Sequence, residues 1–102
     1  MTSLSVEKQR YKFSSEADLK RCLQADDFDI FAWQDRPGAY YSPHSHPHDE
    51  FIVVLSGSIK FIVSGITYEL ERGDLLNLPA NTVHEAVNDG DAAVRYFICT
   101  RS

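Results

Sequence analysis

This amino-acid sequence predicts an all-β protein that folds as an antiparallel barrel or jelly roll with one short N-terminal helix. From Phe28 onward the chain consists of short runs rich in aromatic and β-branched residues, turn residues separate those runs, and the one helical pattern precedes them. Short strands divided by regular turns are typical of antiparallel barrels and sandwiches. With 43% apolar content, residues 1–102 are expected to form one domain around a single core.

The predicted helix spans about residues 16–24. Residues 15–18 read Ser-Glu-Ala-Asp, an acidic variant of the capping box that marks a helix start. Leu19, Cys22 and Leu23 follow at helical spacing, so the helix would carry one apolar stripe.

Eight strands are predicted after the helix, bounded by turn residues such as Arg-Pro-Gly at 36–38 and Ser-Gly-Ser at 56–58. They cover residues 28–33, 39–42, 50–55, 59–63, 67–70, 75–78, 84–87 and 94–100. The strand at 50–55 is apolar at both parities, so one face would fill the barrel and the other would need cover from the N-terminal segment or a second subunit. Because the helix is too short to provide that cover alone, a homodimer is expected.

Charge and composition exclude several classes of partner. With a formal charge of −5 and scattered Lys and Arg residues, the chain offers no basic face for nucleic acid. Its longest apolar stretch, residues 51–55, is too short to span a bilayer, and no secretory signal is expected from the polar residues 1–10. Cys22 and Cys99 form neither a CxxC motif nor a disulfide framework, as suits a reducing cytosol. A cytoplasmic protein that binds neither membranes nor nucleic acid is therefore predicted.

The most informative segment, residues 38–50, contains three of the four histidines. Alternate side chains of an extended segment share a face, so His44, His46 and Glu50 can point into one cavity. His84, in a second segment further along the chain, would complete a set of three histidines and one carboxylate. Neutral imidazoles bind divalent ions at about 2.0–2.1 Å, so the spacing predicts a metal site.

One divalent transition-metal ion is the cofactor that this donor set predicts. Imidazole and carboxylate donors are compatible with iron, manganese, nickel, cobalt, copper or zinc, and argue only against a thiolate-type site. Four protein ligands would leave two positions open on an octahedral ion, where a substrate, water or dioxygen would bind.

Both segments resemble the paired motifs of the cupin family. The first motif, at residues 38–57, has the family's spacing at every fixed position: Gly38, five residues, His44, one residue, His46, three residues, Glu50, six residues and Gly57. The second, at residues 73–88, has Gly73, Pro79, Asn81, His84 and Asn88 at the family's spacing. It departs only at Asn81, where the family usually has glycine; asparagine also tolerates the positive φ that such a turn needs.

The resemblance implies a small single-domain cupin with a jelly-roll or double-stranded β-helix barrel, in which His44, His46, Glu50 and His84 are the metal ligands. The family includes dioxygenases, oxidases, isomerases, decarboxylases, hydrolases, storage proteins and ligand-sensing modules. Membership alone therefore does not give the function.

Three further side chains have roles that the sequence leaves open. Strand parity places Tyr40 beside His44, where its hydroxyl could donate a hydrogen bond to an oxygen ligand of the ion; this makes it the candidate catalytic residue, and the alternative is a tyrosine that fills the barrel. His48 shares this parity, but Pro47 can break the strand, which favours a position at the rim. Arg95 would favour a carboxylate-bearing ligand if its side of the last strand faces inward.

Two hypotheses of different classes follow. The first is a metal-dependent dioxygenase, an oxidoreductase acting on a small oxygen-rich or aromatic molecule; it is motivated by a full ligand set without an obvious independent acid–base pair. The second is a non-catalytic module that binds or senses a small molecule, motivated by a short chain without insertions that could form a lid. A metal-dependent isomerase, which would need no dioxygen, is a third option.

Overall fold

Nine strands and one helix make up residues 3–101, the part of the chain that the computed structural model describes. In chain order the elements are β1 (Ser5–Glu7), α1 (Glu16–Ala25), β2 (Asp29–Asp35), β3 (Tyr40–His44), β4 (Glu50–Ser56), β5 (Ile59–Val63), β6 (Ile66–Leu70), β7 (Leu75–Leu78), β8 (His84–Val87) and β9 (Val94–Thr100). All eight predicted strands are present, with ends displaced by no more than two residues. The sequence does not predict β1, because this strand has three residues and one apolar side chain, Val6.

The strands form two antiparallel sheets. One has the order β1-β7-β4-β9-β2, and the other has the order β3-β8-β5-β6. Their inner faces share one buried cluster, with Ile52, Val54, Leu76, Leu78, Val94 and Tyr96 from the five-stranded sheet and Ile59, Phe61, Val63, Leu70 and Ala86 from the four-stranded sheet. Two antiparallel sheets around one core are the jelly-roll architecture, so the predicted fold class is confirmed.

A second buried cluster lies on the outer face of the five-stranded sheet. Phe51, Val53 and Leu55 of β4 belong to it, together with Leu19 and Leu23 of α1. Its other buried members are Tyr11, Phe28, Leu75, Phe97 and Cys99. The apolar outer side of β4 is thus covered within the chain, by α1 and its flanking segments, and gives no reason to expect a second subunit. The homodimer stays a prediction, but an uncovered apolar side of β4 no longer supports it.

Helix α1 begins and ends close to where its sequence signals predict. The Ser15 hydroxyl accepts a hydrogen bond from the Asp18 backbone N–H at 3.1 Å, which is the N-cap arrangement expected at a helix start. The Arg95 guanidinium on β9 donates to Glu16 at 2.6 Å and ties the first turn of the helix to the sheet. Within residues 3–101, no helix is long and apolar enough to cross a membrane.

Both cysteines are free thiols. Cys99 is buried under α1, and this burial raises the pKa of its thiol to about 12. Because the thiolate is the reactive form, Cys99 acts as a small apolar residue of the core.

The buried carboxylate of Asp74 anchors the N-terminal segment to the turn before β7. It accepts hydrogen bonds from the Lys8 ammonium, from the Gln9 backbone N–H at 2.8 Å and from the Glu71 backbone N–H at 2.8 Å. Burial opposes the charged form, but the hydrogen bonds from Lys8 and from the two backbone N–H groups outweigh it and lower the pKa of Asp74. Asp74 therefore stabilises the folded chain in its ionised form.

We expect Asp74→Asn to lower the free energy of unfolding at pH 7 by about 2 kcal/mol, because it removes charge-assisted hydrogen bonds. The folded-state pKa of Asp74 lies below the unfolded value of about 3.9, so its contribution is present above that pH and is lost as the pH falls through the folded pKa. Urea unfolding at pH 7 and at pH 3 measures both effects.

Asp89→Asn is the matched control, because Asp89 pairs with Lys60 at 2.8 Å on the exposed surface. Such an exposed pair contributes little to stability, so the control variant should remain close to the unchanged chain. Equal losses in the two variants would contradict the anchoring role of Asp74.

Candidate metal centre

Three histidines from the two predicted motifs meet at one end of the strand pair β3 and β8. His44 is the last residue of β3 and lies directly opposite His84, the first residue of β8. His46 follows in the loop after β3. One ring nitrogen of each histidine lies within 4.8 Å of those of the other two, so the structure brings these three predicted ligands together.

Backbone hydrogen bonds between the motifs hold the loop of His46 in place. The Asn81 N–H donates to the His46 carbonyl at 2.7 Å, and the Ala80 N–H donates to the Asp49 carboxylate at 2.8 Å. Asn81 has a φ of 63°, which confirms that this position needs a residue able to adopt a left-handed backbone. The turn of the second motif therefore supports the ligands of the first.

Carbonyl groups fix which ring nitrogen of two histidines carries the proton. His44 Nδ1 lies 2.7 Å from the Ser42 carbonyl oxygen, and His84 Nδ1 lies 2.8 Å from the Thr82 carbonyl oxygen. Since a carbonyl oxygen only accepts hydrogen bonds, Nδ1 must be the donor in each ring. The Nε2 lone pair of each neutral imidazole is then available to bind a metal.

His84 is held in its neutral form by its surroundings. Its residue is 3% exposed, and this burial lowers the pKa of the imidazole. The neighbouring His44 and His46 rings lower the pKa further, against the opposing effect of the Thr82 carbonyl. A neutral imidazole is the form that binds metals, so burial prepares His84 for this role.

The three imidazoles fit a divalent transition-metal ion. Two ligands on opposite sides of an ion, each at about 2.1 Å, lie about 4.2 Å apart. The three ring nitrogens lie within 4.8 Å of one another, which is slightly more than this ligand-to-ligand distance. Small side-chain rotations can remove the difference. Neutral imidazole donors without a nearby thiolate suit iron, manganese, nickel, cobalt, copper or zinc, the ions that the donor set predicts.

Glu50, the predicted carboxylate ligand, lies beside the cluster. One of its oxygens is 3.6 Å from His46 Nε2, and the other is 3.3 Å from His48 Nε2. Glu50 is not part of the group of three, and its ligation stays a prediction. His48 is exposed and pairs with Glu50 outside that group.

The predicted position of Tyr40 beside the histidines is wrong. Tyr40 is 55% exposed, and its hydroxyl donates to the Glu85 carboxylate at 2.6 Å instead of reaching the cluster. The strand pairing aligns Tyr41 with Ala86 and His44 with His84, so β3 has one extra residue in this interval. This bulge reverses the parity after Tyr41. Tyr41, and not Tyr40, shares the inward side with His44.

The side of β9 that carries Arg95 faces away from the histidines. Arg95 pairs with Glu16 of the helix, whereas Tyr96 and Ile98 line the cavity next to the cluster. The structure therefore answers the question that the sequence leaves open, and Arg95 is not placed to hold a ligand's carboxylate there.

A largely apolar cavity of about 340 Å³ adjoins the three histidines. Besides these histidines and Glu50, its wall consists of Phe31, Trp33, Tyr41, Ile52, Phe61, Ala86, Tyr96 and Ile98. An apolar wall with a few polar groups at one place is typical of small-molecule sites.

Asp35 is a buried residue of this region that no motif in the sequence indicates. It is 5% exposed, and its carboxylate accepts hydrogen bonds from three side chains of the cavity wall: Trp33 at 3.0 Å, Tyr41 at 2.5 Å and Tyr96 at 2.6 Å. In the sequence, Asp35 precedes Arg-Pro-Gly and has the character of an ordinary turn residue. Trp33 and Tyr41 are two and six residues from Asp35, but Tyr96 is 61 residues away, so no local pattern indicates the whole cluster.

Comparison with known proteins agrees with the motifs. The family model of the cupin domain matches residues 32–100. Convicilin from Pisum sativum is 32% identical over an alignment of 84 residues that covers 78% of this chain and 21% of convicilin. Protein SchB from Streptomyces halstedii is 33% identical over 61 residues, which are 59% of this chain and 44% of SchB. The matched part thus spans less than half the length of either relative.

A solved structure shows the same architecture. It is that of an uncharacterized conserved protein with a double-stranded β-helix domain from Klebsiella pneumoniae, with a TM-score of 0.63 and 28% identity. The alignment covers 72% of this chain and 65% of the Klebsiella protein. Since the family model covers most of the chain and the described strands form the expected two sheets, the protein belongs to the cupin family.

Proposed function

We propose that this protein is a metal-dependent oxidoreductase, in which His44, His46 and His84 hold one divalent transition-metal ion and Glu50 is a fourth ligand. A small aromatic or oxygen-rich molecule in the adjoining cavity would be the substrate, and dioxygen the oxidant. The observation that carries this proposal is the convergence of three imidazoles beside a largely apolar cavity of about 340 Å³.

The chain's own groups prepare the site for this role. The Ser42 and Thr82 carbonyls keep the Nε2 lone pairs of His44 and His84 free. Away from the exposed Phe31 and Trp33, the apolar wall limits water around a bound molecule. When bound, the ion would supply Lewis acidity and, if it is redox-active, a site for the activation of dioxygen.

The tyrosines of the cavity support chemistry that depends on the ion. Burial and the hydrogen bond to Asp35 raise the pKa of Tyr41. Burial and the same carboxylate raise the pKa of Tyr96 far above its ordinary range. Neither phenol is therefore suited to act as a general base near neutral pH. Without such a base on this side of the cavity, the metal ligands are the groups best placed to activate a substrate.

Elemental analysis of protein purified without an affinity tag or chelator tests the proposal. We expect about one equivalent of iron, manganese, copper or nickel per chain, as one three-histidine site implies. Oxygen consumption in the presence of catechol, a small oxygen-rich aromatic probe, then tests for oxidation. A chain that stays metal-free after reconstitution with these ions would overturn the proposal.

A non-catalytic binding module is the second candidate, favoured by the open mouth of the cavity. Phe31 and Trp33 on the edge strand β2 line the cavity and are 57% and 43% exposed, so water reaches this side. An open site favours binding over chemistry that must exclude water. Saturable binding of catechol without any oxygen consumption would support this candidate, and conversion of the probe would exclude it.

A further inference from the structure

The cavity has a second polar feature, along the sheet from the metal ligands. Tyr96 of β9 lies opposite Val54 of β4, which is four residues from Glu50. At about 3.3 Å per residue, four residues of strand span about 13 Å. Tyr96 is therefore remote from Glu50. Together with Trp33, which lies opposite it on β2, and with Tyr41, it forms the part of the cavity wall here called the aromatic floor.

One buried carboxylate organises this floor. Asp35 Oδ1 accepts from the Tyr41 hydroxyl and from the Trp33 indole N–H, and Asp35 Oδ2 accepts from the Tyr96 hydroxyl. All three of these donors are neutral, so the negative charge of Asp35 is solvated by the floor itself.

The hydrogen bonds leave the floor without a proton to offer to a ligand. The Tyr41 and Tyr96 hydroxyl protons point to Asp35, and the Tyr41 oxygen also accepts from the Trp33 indole at 3.0 Å. What remains toward the cavity is ring surface and phenol oxygen lone pairs. An anionic group would find no hydrogen-bond donor there and would meet the negative charge of Asp35 behind the hydroxyls.

We propose that Asp35 is a positioning residue that fixes Trp33, Tyr41 and Tyr96 as a rigid floor and makes this end of the cavity select uncharged aromatic groups over anionic ones. The inference deepens the proposed function, because the same cavity would take the substrate. An aromatic ligand would then lie on the floor, where a substituent of its ring comes close to Asp35 and is favoured when it is uncharged.

Trp33 makes this selection measurable, because it is the only tryptophan of the chain. Benzyl alcohol and benzoate are probes of similar size that differ in charge. In metal-free protein, titrations followed by Trp33 fluorescence should show that benzyl alcohol binds at least about tenfold more tightly than benzoate, since the Asp35 carboxylate, which is 5% exposed, repels a carboxylate bound next to the floor. Equal affinities, or no response to benzyl alcohol, would overturn the inference.

Two variants separate Asp35 from the other negative charge of the cavity. Asp35→Asn should bring the ratio of the two affinities close to one, whereas Glu50→Gln should preserve the preference for benzyl alcohol. Asp89→Asn removes the same charge from the exposed surface and should leave the ratio unchanged. If Asp35→Asn does not fold, Glu50→Gln still tests the role of Asp35. Loss of the preference for benzyl alcohol in Glu50→Gln would show that Glu50, and not Asp35, causes it, and would overturn the inference.

The test also separates this inference from the proposed function. Because the titrations use metal-free protein, the preference for benzyl alcohol does not depend on whether the chain binds a metal. A preference in a chain that takes up no metal would leave the inference standing and refute the metal-dependent function. A chain that binds metal but shows no preference would refute the inference and leave the metal-dependent function standing.

Discussion

His46→Ala and His84→Ala are each expected to bind a divalent transition-metal ion at least about 100-fold more weakly than the unchanged chain. Loss of a group that only orients a ligand already costs about 10- to 100-fold in affinity, and a direct ligand should cost at least as much. The ring nitrogens of both residues lie within 4.8 Å of the other donors in the cluster. Metal titration monitored by calorimetry measures the loss.

His48→Ala is the matched control for these two variants. Its ring lies 5.6 Å from that of His46, but it is exposed and outside the group of three. We expect its metal affinity to change by much less than that of the other variants. His84 is buried, so its removal affects packing, and circular dichroism must first show that His84→Ala is folded. Retained affinity in folded His46→Ala and His84→Ala would contradict the site.

Phe97→Ala is expected to lower the free energy of unfolding by about 3–5 kcal/mol, because it leaves a cavity beneath α1. Phe97 is 1% exposed and belongs to the cluster that the helix closes against the outer face of the five-stranded sheet. Since domains of this size are stable by about 5–15 kcal/mol in total, the variant should lose a large part of its stability. Urea unfolding followed by circular dichroism measures the change.

Phe31→Ala removes the same side chain from an exposed position and is the control for this experiment. Phe31 is 57% exposed and stacks on Trp33 with ring centroids 5.6 Å apart. Its loss should cost about 1 kcal/mol or less, since exposed substitutions remove little packing. Similar losses in the two variants would mean that α1 does not seal a buried core.

The elements of the fold are predictable from the sequence because their signals are local. Ser15 marks the start of α1 through a hydrogen bond to a backbone three residues away. The alternation of buried and half-buried residues in β5 is likewise visible within five positions. Strand β1 has too few apolar residues for such a pattern, and it exists because its backbone pairs with β7.

The histidine site is predictable for a different reason. His44 and His46 are two positions apart, so any extended segment keeps them near each other, and the cupin-type spacing of the second motif identifies His84 as their partner. Tyr40 is mispredicted because strand parity holds only while the pairing is regular. The bulge between Tyr41 and His44 depends on the pairing of β3 with β8 and is not written in the side-chain pattern.

Local spacing in the sequence was thus enough for the eight strands after the helix, the helix cap, the family and the three histidines. Tertiary structure alone decided which tyrosine faces the cavity, what covers the apolar outer side of β4, and where Asp35 finds its donors. Tyr41 is six residues from Asp35, and Tyr96 is 61 residues from it. These outcomes depend on contacts between strands that are distant in sequence, whereas periodicity and spacing report only on neighbours along the chain.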